Sequence, residues 1–268
     1  MDVADKKMTH ITDSFRVHDL DECRNTQTGP VFIVASGASA KDFPLHKYAG
    51  VPMITMNGAI SKFTGTGIKP YFYVCTDQGF SEQQPELFTE AMRLSERVAL
   101  WEKHIWHTSV KPQGKLYLLS RAPRLSWSEF FRTDKDLVRV RRLGSGRNKT
   151  LGFSKNLKRG FFDARTVAYL ALQLAYHLGF TRVFLVGVDL DPTAGRFYER
   201  SGSFASPCVL DEHFHTRILP SFKILSQQVV NKDFQVYNLS DISKIPPRVI
   251  PRMTLQELDR LLCRITRH

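Results

Sequence analysis

The chain begins its regular patterning with three segments that are apolar almost throughout rather than alternating: "VFIVAS" (31–36), "VPMITMN" (51–57) and "PYFYVCTD" (70–77). Unbroken apolar runs of this length, each closed by small or polar residues, read as strands covered on both faces of a parallel sheet. Helical spacing fits between and after them, over Lys41 to Tyr48, Ala59 to Phe63 and the acidic "SEQQPELFTEAMRLSE", with Ser81 as a candidate cap. A β-α-β-α-β order predicts right-handed crossovers and an α/β, Rossmann-like, doubly wound, mainly parallel sheet.

Further along, "KLYLLS" (115–120) predicts another strand. The strongest helical pattern runs from about Asp163, a candidate cap, to His177, with Val167, Leu170, Ala171, Leu174 and Leu178 at helical spacing and Gly179 closing it. This stretch carries Gln173 and His177 and falls short of the roughly 18 to 20 apolar residues of a membrane span, so it reads as a buried or amphipathic helix. A strand at 182–190, a helix from about His213 to Asn231 and a strand at 234–240 complete the sheet. Prolines at 246, 247 and 251 then precede a last helix with a Thr254/Glu257 capping box. The expected division is an N-terminal arm (1–29), one main domain (30–245) with a basic insertion or lid at 120–160, and a C-terminal helix (246–268).

Charge sharpens this picture. The formal net charge is +12, and Arg132 to Arg159 contributes ten Lys or Arg against Asp134 and Asp136, a local +8 in 28 residues. Such a surface suits phosphates on nucleic acid, a lipid head group or an acidic glycan, and charge alone does not choose among them. The four cysteines are far apart without a C-x-x-C, which suggests neither a disulfide framework nor a thiolate zinc site. The first ten residues lack the apolar core of a secretory signal, so a cytosolic location is expected.

The candidate chemistry sits at strand ends. "SGAS" (36–39) follows the first strand, where a turn of small residues lets backbone N–H groups approach a phosphate, although such turns also occur without a ligand. Only Gly37 of a three-glycine dinucleotide fingerprint is present, and "GSGRNKT" (144–150) lacks the glycine that a triphosphate loop places before its lysine. Asn57 and Asp77 close the next two strands and would project on the same edge. "DLD" (189–191) could hold a divalent metal; "HFH" (213–215) is weak as a zinc site.

Taken in order, "VFIVASGASAKDF", "ITMNGAISKF", "FYVCTDQGF", "ARTVAYLALQLAYHLGFTRVFLVGVDLD" and "FQVYNLSDIS" resemble the lipopolysaccharide inner-core transferases that add a third Kdo (3-deoxy-D-manno-octulosonic acid), and more distantly the bacterial sialyltransferases. The resemblance runs from about 31 to 245 and leaves the basic middle without a counterpart. It implies a single nucleotide-sugar-binding domain, a CMP-Kdo donor, inversion at the anomeric carbon, and no obligatory cofactor or metal. Ser36, Gly37 and Ser39 would meet the donor phosphate, with Asn57, Asp77, Thr166, Gly187 and Asp189 bordering the nucleotide or sugar. Tyr198 would assist the departing phosphate, and Arg196 could add a guanidinium there to offset Asp191. Proton removal from the acceptor hydroxyl calls for a group titrating near neutrality, and His215 falls close to the family's base histidine.

Arg139, Arg141 and Arg142 suit a lipid A precursor carrying phosphates and carboxylates, at the anionic inner face of the bacterial inner membrane, with peripheral attachment. Trp101, Trp106 and Trp127 could dip into that interface. Two alternatives stay open, a sialyltransferase-like enzyme acting on another glycan and a basic nucleic-acid-binding protein.

Overall fold

The computed structural model describes residues 16–77, 79–101, 110–124, 134–139, 150–191, 195–198 and 210–265. Ten strands are present among the described residues: β1 (Val17–His18), β2 (Pro30–Val34), β3 (Met53–Met56), β4 (Phe72–Cys75), β5 (Arg97–Trp101), β6 (Lys115–Leu119), β7 (Leu137–Arg139), β8 (Gly152–Ser154), β9 (Arg182–Val186) and β10 (Gln235–Asn238). Eight of them form one sheet in the order β1-β6-β5-β4-β3-β2-β9-β10, and every pair in it is parallel. The chain lays strands outward from β2 to β6 and then returns to add β9 and β10 on the other side of β2. The order therefore reverses between β2 and β9, which in an open α/β sheet is where ligands bind, outside the carboxyl ends of the strands.

The helices are α1 (Phe80–Gln83), α2 (Pro85–Leu94), α3 (Val167–Leu178), α4 (Leu210–His213), α5 (Leu219–Gln228) and α6 (Leu255–Ile265). Side chains alternate across the sheet. Ile33, Ile54 and Val74 join a core with α3 and α5, whereas Phe32, Val34, Met53 and Tyr73 join one on the opposite face with α2 and Leu258 of α6. The apolar runs are thus continuous because both faces are buried, as the pattern required.

Several local expectations change. Residues 41–48 form no α-helix but a short 3-10 turn at Leu45–Tyr48, preceded by another at Ala38–Ala40. Pro44 lies between them, and a proline both lacks the N–H a helix needs and pushes its predecessor out of helical dihedrals. The segment 57–62 is likewise 3-10 rather than α. Ser81 lies inside α1 rather than capping it, and Pro85 opens α2. Asp163 does not cap α3. Its Oδ1 accepts the N–H of Arg165 at 2.8 Å and its Oδ2 pairs with Arg121 at 2.7 Å, leaving Thr166 at the cap.

The helix expected over 213–231 is interrupted by a π turn at Phe214–Ile218, where Leu219 N–H bonds to Phe214 O. Pro220 follows at once and cannot seat its ring against the carbonyl four residues back, so the wider turn relieves the clash. β5 was not anticipated, nor were β8 and its antiparallel pairing with β7, which lie within the stretch assigned to a basic lid. The capping box of α6 is present, with Thr254 N donating to Glu257 Oε2 at 2.8 Å and Glu257 N to Thr254 Oγ1 at 3.2 Å.

Residues 16–29 dock on the main domain instead of trailing from it. Leu20 and Cys23 are buried, β1 adds to the sheet edge, and Asn25 N and Gln27 N bond to the carbonyls of His177 and Leu178 at 2.9 Å. The polar residues of α3 explain how this is held. His177 is fully buried, its Nδ1 accepting from Leu157 N at 3.2 Å and its Nε2 donating to Leu20 O at 2.9 Å, so the ring is neutral and bridges two segments. Gln173 similarly accepts from Ser154 N and Phe162 N at 3.0 and 2.9 Å.

Candidate active site

Because β2, β3 and β4 are parallel neighbours, the residues that follow them share one edge. Gly37, Asn57 and Asp77 therefore lie along a rim about 10 Å wide, two strand spacings. The β2 turn is locked to the β9 turn: Ala35 N donates to Val186 O at 2.8 Å and Gly37 N to Gly187 O at 3.0 Å. A Cβ on Gly37 would lie 2.5 Å from both Asp189 Oδ2 and Gly187 O, so the two turns approach this closely only without a side chain there.

Asp189 is 1 % exposed, and its carboxylate accepts Ser39 N at 2.9 Å, Ser39 Oγ at 2.5 Å and Ser240 Oγ at 2.6 Å. These bonds tie together the loops after β2, β9 and β10. Asp189 thus holds the loops of the rim together, and the Ser39 hydroxyl is turned inward to that carboxylate. Asp191 faces Lys244, Nζ to Oδ1 at 3.4 Å, so the two acids of "DLD" point to different partners. Among the described residues no group of three His, Cys, Asp or Glu converges to hold a metal ion.

The segment Arg196 to Tyr198 closes one side of the rim. Arg196 bridges to Gly37 and Phe197 N donates to Ser36 O at 3.1 Å. The Tyr198 ring lies on Gly58, where an added Cβ would come within 2.2 Å of it, and Arg196 Nη1 donates to Tyr198 Oη at 3.0 Å. Arg196 and Tyr198 are thus brought to the ends of β2 and β3 beside Asn57. Asn57 itself has a left-handed backbone (φ 42), and its Oδ1 is buried with no hydrogen-bond partner. A buried unsatisfied amide oxygen at a strand end is poised to accept a bond from a ligand.

Asp77 is exposed at the end of β4, its Oδ1 accepting Gly79 N at 3.1 Å. Thr166 stands at the start of α3 and makes no side-chain cap bond. The helix precedes parallel β9 and so runs against the strands, which puts its N-terminus at the same carboxyl edge. His215 is exposed in the π turn, its ring meeting that of Phe214 at 5.2 Å. Among the described residues no contact joins it to Gly37, Asn57 or Asp189. Arg139 is half-buried in β7, while Arg141 and Arg142, with Trp106 and Trp127, lie outside the described residues. Trp101 packs edge-on against Phe161 with ring centres 6.3 Å apart rather than standing free. Burial pushes the Cys75 thiol up to about 12 and Cys23 to about 11, so neither is a nucleophile.

Sequence reasoning missed Ser240 and a group of arginines at this edge, Arg121, Arg124, Arg165 and Arg217, which with Arg139 line a cavity of about 380 Å³. Their positions are scattered and carry no local spacing signal. No helix among the described residues is long and apolar enough to cross a membrane.

Comparison with known proteins gives this edge its context. Two curated relatives, each called a probable 3-deoxy-manno-octulosonic acid transferase, are 29 % identical. The Escherichia coli K12 protein aligns over 87 % of this chain and 86 % of its own length, and the Salmonella typhimurium protein over 85 % and 87 %. Among solved structures, the chain is similar to the MAf glycosyltransferase of Magnetospirillum magneticum (16 % identity, TM-score 0.47, 91 % of this chain but 38 % of that one). It is also similar to the sialyltransferase CstII of Campylobacter jejuni (15 % identity, TM-score 0.41, 83 % and 85 % covered). A model of the 3-deoxy-D-manno-octulosonic acid transferase WaaZ family matches residues 122–256, a span that includes the basic segment for which the sequence offered no counterpart. That match covers just over half of the chain, which therefore belongs to the WaaZ family of 3-deoxy-D-manno-octulosonic acid transferases.

Proposed function

We propose that the chain transfers Kdo from CMP-Kdo to a lipopolysaccharide inner-core acceptor, with the donor seated where the strand order reverses between β2 and β9. The observation that carries this reading is the rim itself. A glycine-tight turn, the buried and unpartnered Asn57 Oδ1 and the Arg196–Tyr198 pair meet outside adjacent parallel strands.

In this mechanism Ser36 and the turn at Gly37 meet the donor phosphate, Asn57 accepts from the nucleotide or sugar, and Asp77 and Thr166 border it. Asp189 and Gly187 hold the turn in shape. The bond between the anomeric carbon of Kdo and the phosphate oxygen breaks as the acceptor oxygen bonds to that carbon from the opposite face, so configuration inverts. His215 takes the proton from the acceptor hydroxyl. The charge that develops on CMP is met by the Tyr198 hydroxyl and the Arg196 guanidinium, groups already fixed before reaction and so requiring little reorganisation. The anionic acceptor would bring the enzyme to the inner membrane surface by charge attraction to its basic segment.

A transfer assay tests this. The purified chain with CMP-Kdo and a Kdo-bearing lipid A precursor should release CMP in step with a product one Kdo heavier, of inverted anomeric configuration by NMR. A product of retained configuration removes the single displacement, and no turnover with this donor removes the reading.

A further inference from the structure

Five arginines, Arg121, Arg124, Arg139, Arg165 and Arg217, line one cavity together with a single acid, Asp163. The described lining residues therefore carry a formal excess of four positive charges in about 380 Å³, a volume typical of small-molecule sites. Like charges repel at this density, so the arrangement is stabilised by an anion. We propose that this cavity binds an anionic sugar, one bearing a carboxylate or a phosphate monoester, and seats it as the acceptor. The acceptor assignment rests on the transfer reading above, whereas the anionic-sugar site rests on the cavity alone.

Three of the guanidinium groups are held in place rather than loose. Arg121 lies 4.4 Å over the Trp101 ring and pairs with Asp163. Arg139 sits 5.0 Å over Phe162 and donates to Pro123 O at 2.7 Å. Arg217 donates to Asp163 O at 3.1 Å and to the Thr150 hydroxyl. Burial lowers the pKa of Arg217, and the neighbouring Arg165 and Arg121 lower it further against the pull of Asp163. Arg165 has φ 62, a left-handed backbone that L side chains rarely adopt, and Asp163 Oδ1 fixes it there by accepting its N–H.

Two features narrow the ligand. Guanidinium forks match the paired oxygens of carboxylate and phosphate, which a neutral sugar lacks. Exposed Pro123, with small parts of Phe161 and Phe162 (3 % and 5 % exposed), contributes apolar surface to the lining, suited to the C–H face of a sugar ring. The location suits an acceptor. Arg121 follows β6, and Asp163 and Arg165 precede α3, which packs on β2, β3 and β4. The cavity thus opens at the same carboxyl edge as the donor rim.

The test is calorimetric titration of the full chain with Kdo methyl glycoside, glucosamine 4-phosphate and uncharged glucosamine, in parallel with CMP. One or both anionic sugars should bind with at least tenfold greater affinity than glucosamine, and which one does identifies carboxylate or phosphate as the anchor. Arg124→Gln, an exposed change, and the double variant Arg121→Gln/Arg124→Gln should weaken that binding at least threefold and tenfold while CMP binding stays unchanged. The CMP arm reports on the donor reading separately from this one. The proposal is overturned if neither anionic sugar binds the wild-type chain at tens of millimolar, if glucosamine binds as well, or if both variants bind as tightly as wild type.

Discussion

Asp189 offers the sharpest test of how the rim is built. Replacing it with alanine removes an acceptor from three groups at once, Ser39 N, Ser39 Oγ and Ser240 Oγ, at a site 1 % exposed. The two hydroxyls can rotate toward other partners, but the Ser39 amide is fixed by the turn and stays unsatisfied. A stranded buried donor costs about 1 to 3 kcal/mol and each lost hydroxyl bond about 1 kcal/mol, so Asp189→Ala should lower unfolding free energy by about 3 to 5 kcal/mol. Asp189→Asn keeps the shape, with Oδ1 taking the amide and Nδ2 donating to a hydroxyl, and should lose only about 1 to 2 kcal/mol. Urea unfolding followed by circular dichroism measures both, with equal slopes required for comparison. A loss below about 0.5 kcal/mol for Asp189→Ala, or a larger loss for the asparagine variant, would refute the claim that this carboxylate ties the three loops together.

Other outcomes follow from the same geometry. Asn57→Gly tolerates φ 42 and removes an amide with an unpartnered Oδ1, so stability should change by less than about 1 kcal/mol while CMP affinity falls at least about tenfold, read by thermal shift and titration. His215→Ala should cut kcat about a hundredfold with CMP affinity intact, and an active variant removes His215 from the mechanism. Burial holds the pKa of His177 below its ordinary value, so the unfolded chain binds the extra proton first. Its contribution is complete above about pH 6.5 and is lost as pH falls below that, by at most about 1.4 kcal/mol per pH unit. Denaturation at several pH values should show this slope, and His177→Gln should flatten it.

The sheet was legible because burial on both faces leaves an unbroken apolar signature, and because the residues closing β2, β3 and β4 lie close to the strands they end. β5 escaped notice since "RVALW" follows directly on an acidic helix and reads as its tail. The broken helices were hidden by prolines whose consequence depends on the dihedrals of their neighbours, Pro44 and Pro220 in particular. At the site, local spacing identified Ser39 and Asp189 but gave no hint that they face each other, because their partners are 150 and 51 residues away in the chain. The arginine cavity was invisible for the same reason. A run such as Arg139 to Arg142 draws attention by density, whereas Arg121, Arg165 and Arg217 become neighbours only through the start of α3 and the π turn.

The proposed transfer depends most on the donor lying at the reversal between β2 and β9. Titrating isotope-labelled protein with CMP and following backbone amide resonances by NMR tests that location directly. The amides of Gly37, Asn57 and Gly187 should shift together along one saturating curve, with those of Arg121 to Arg124 little changed. Shifts confined to the arginine cavity, or a rim indifferent to CMP at millimolar concentration, would contradict it.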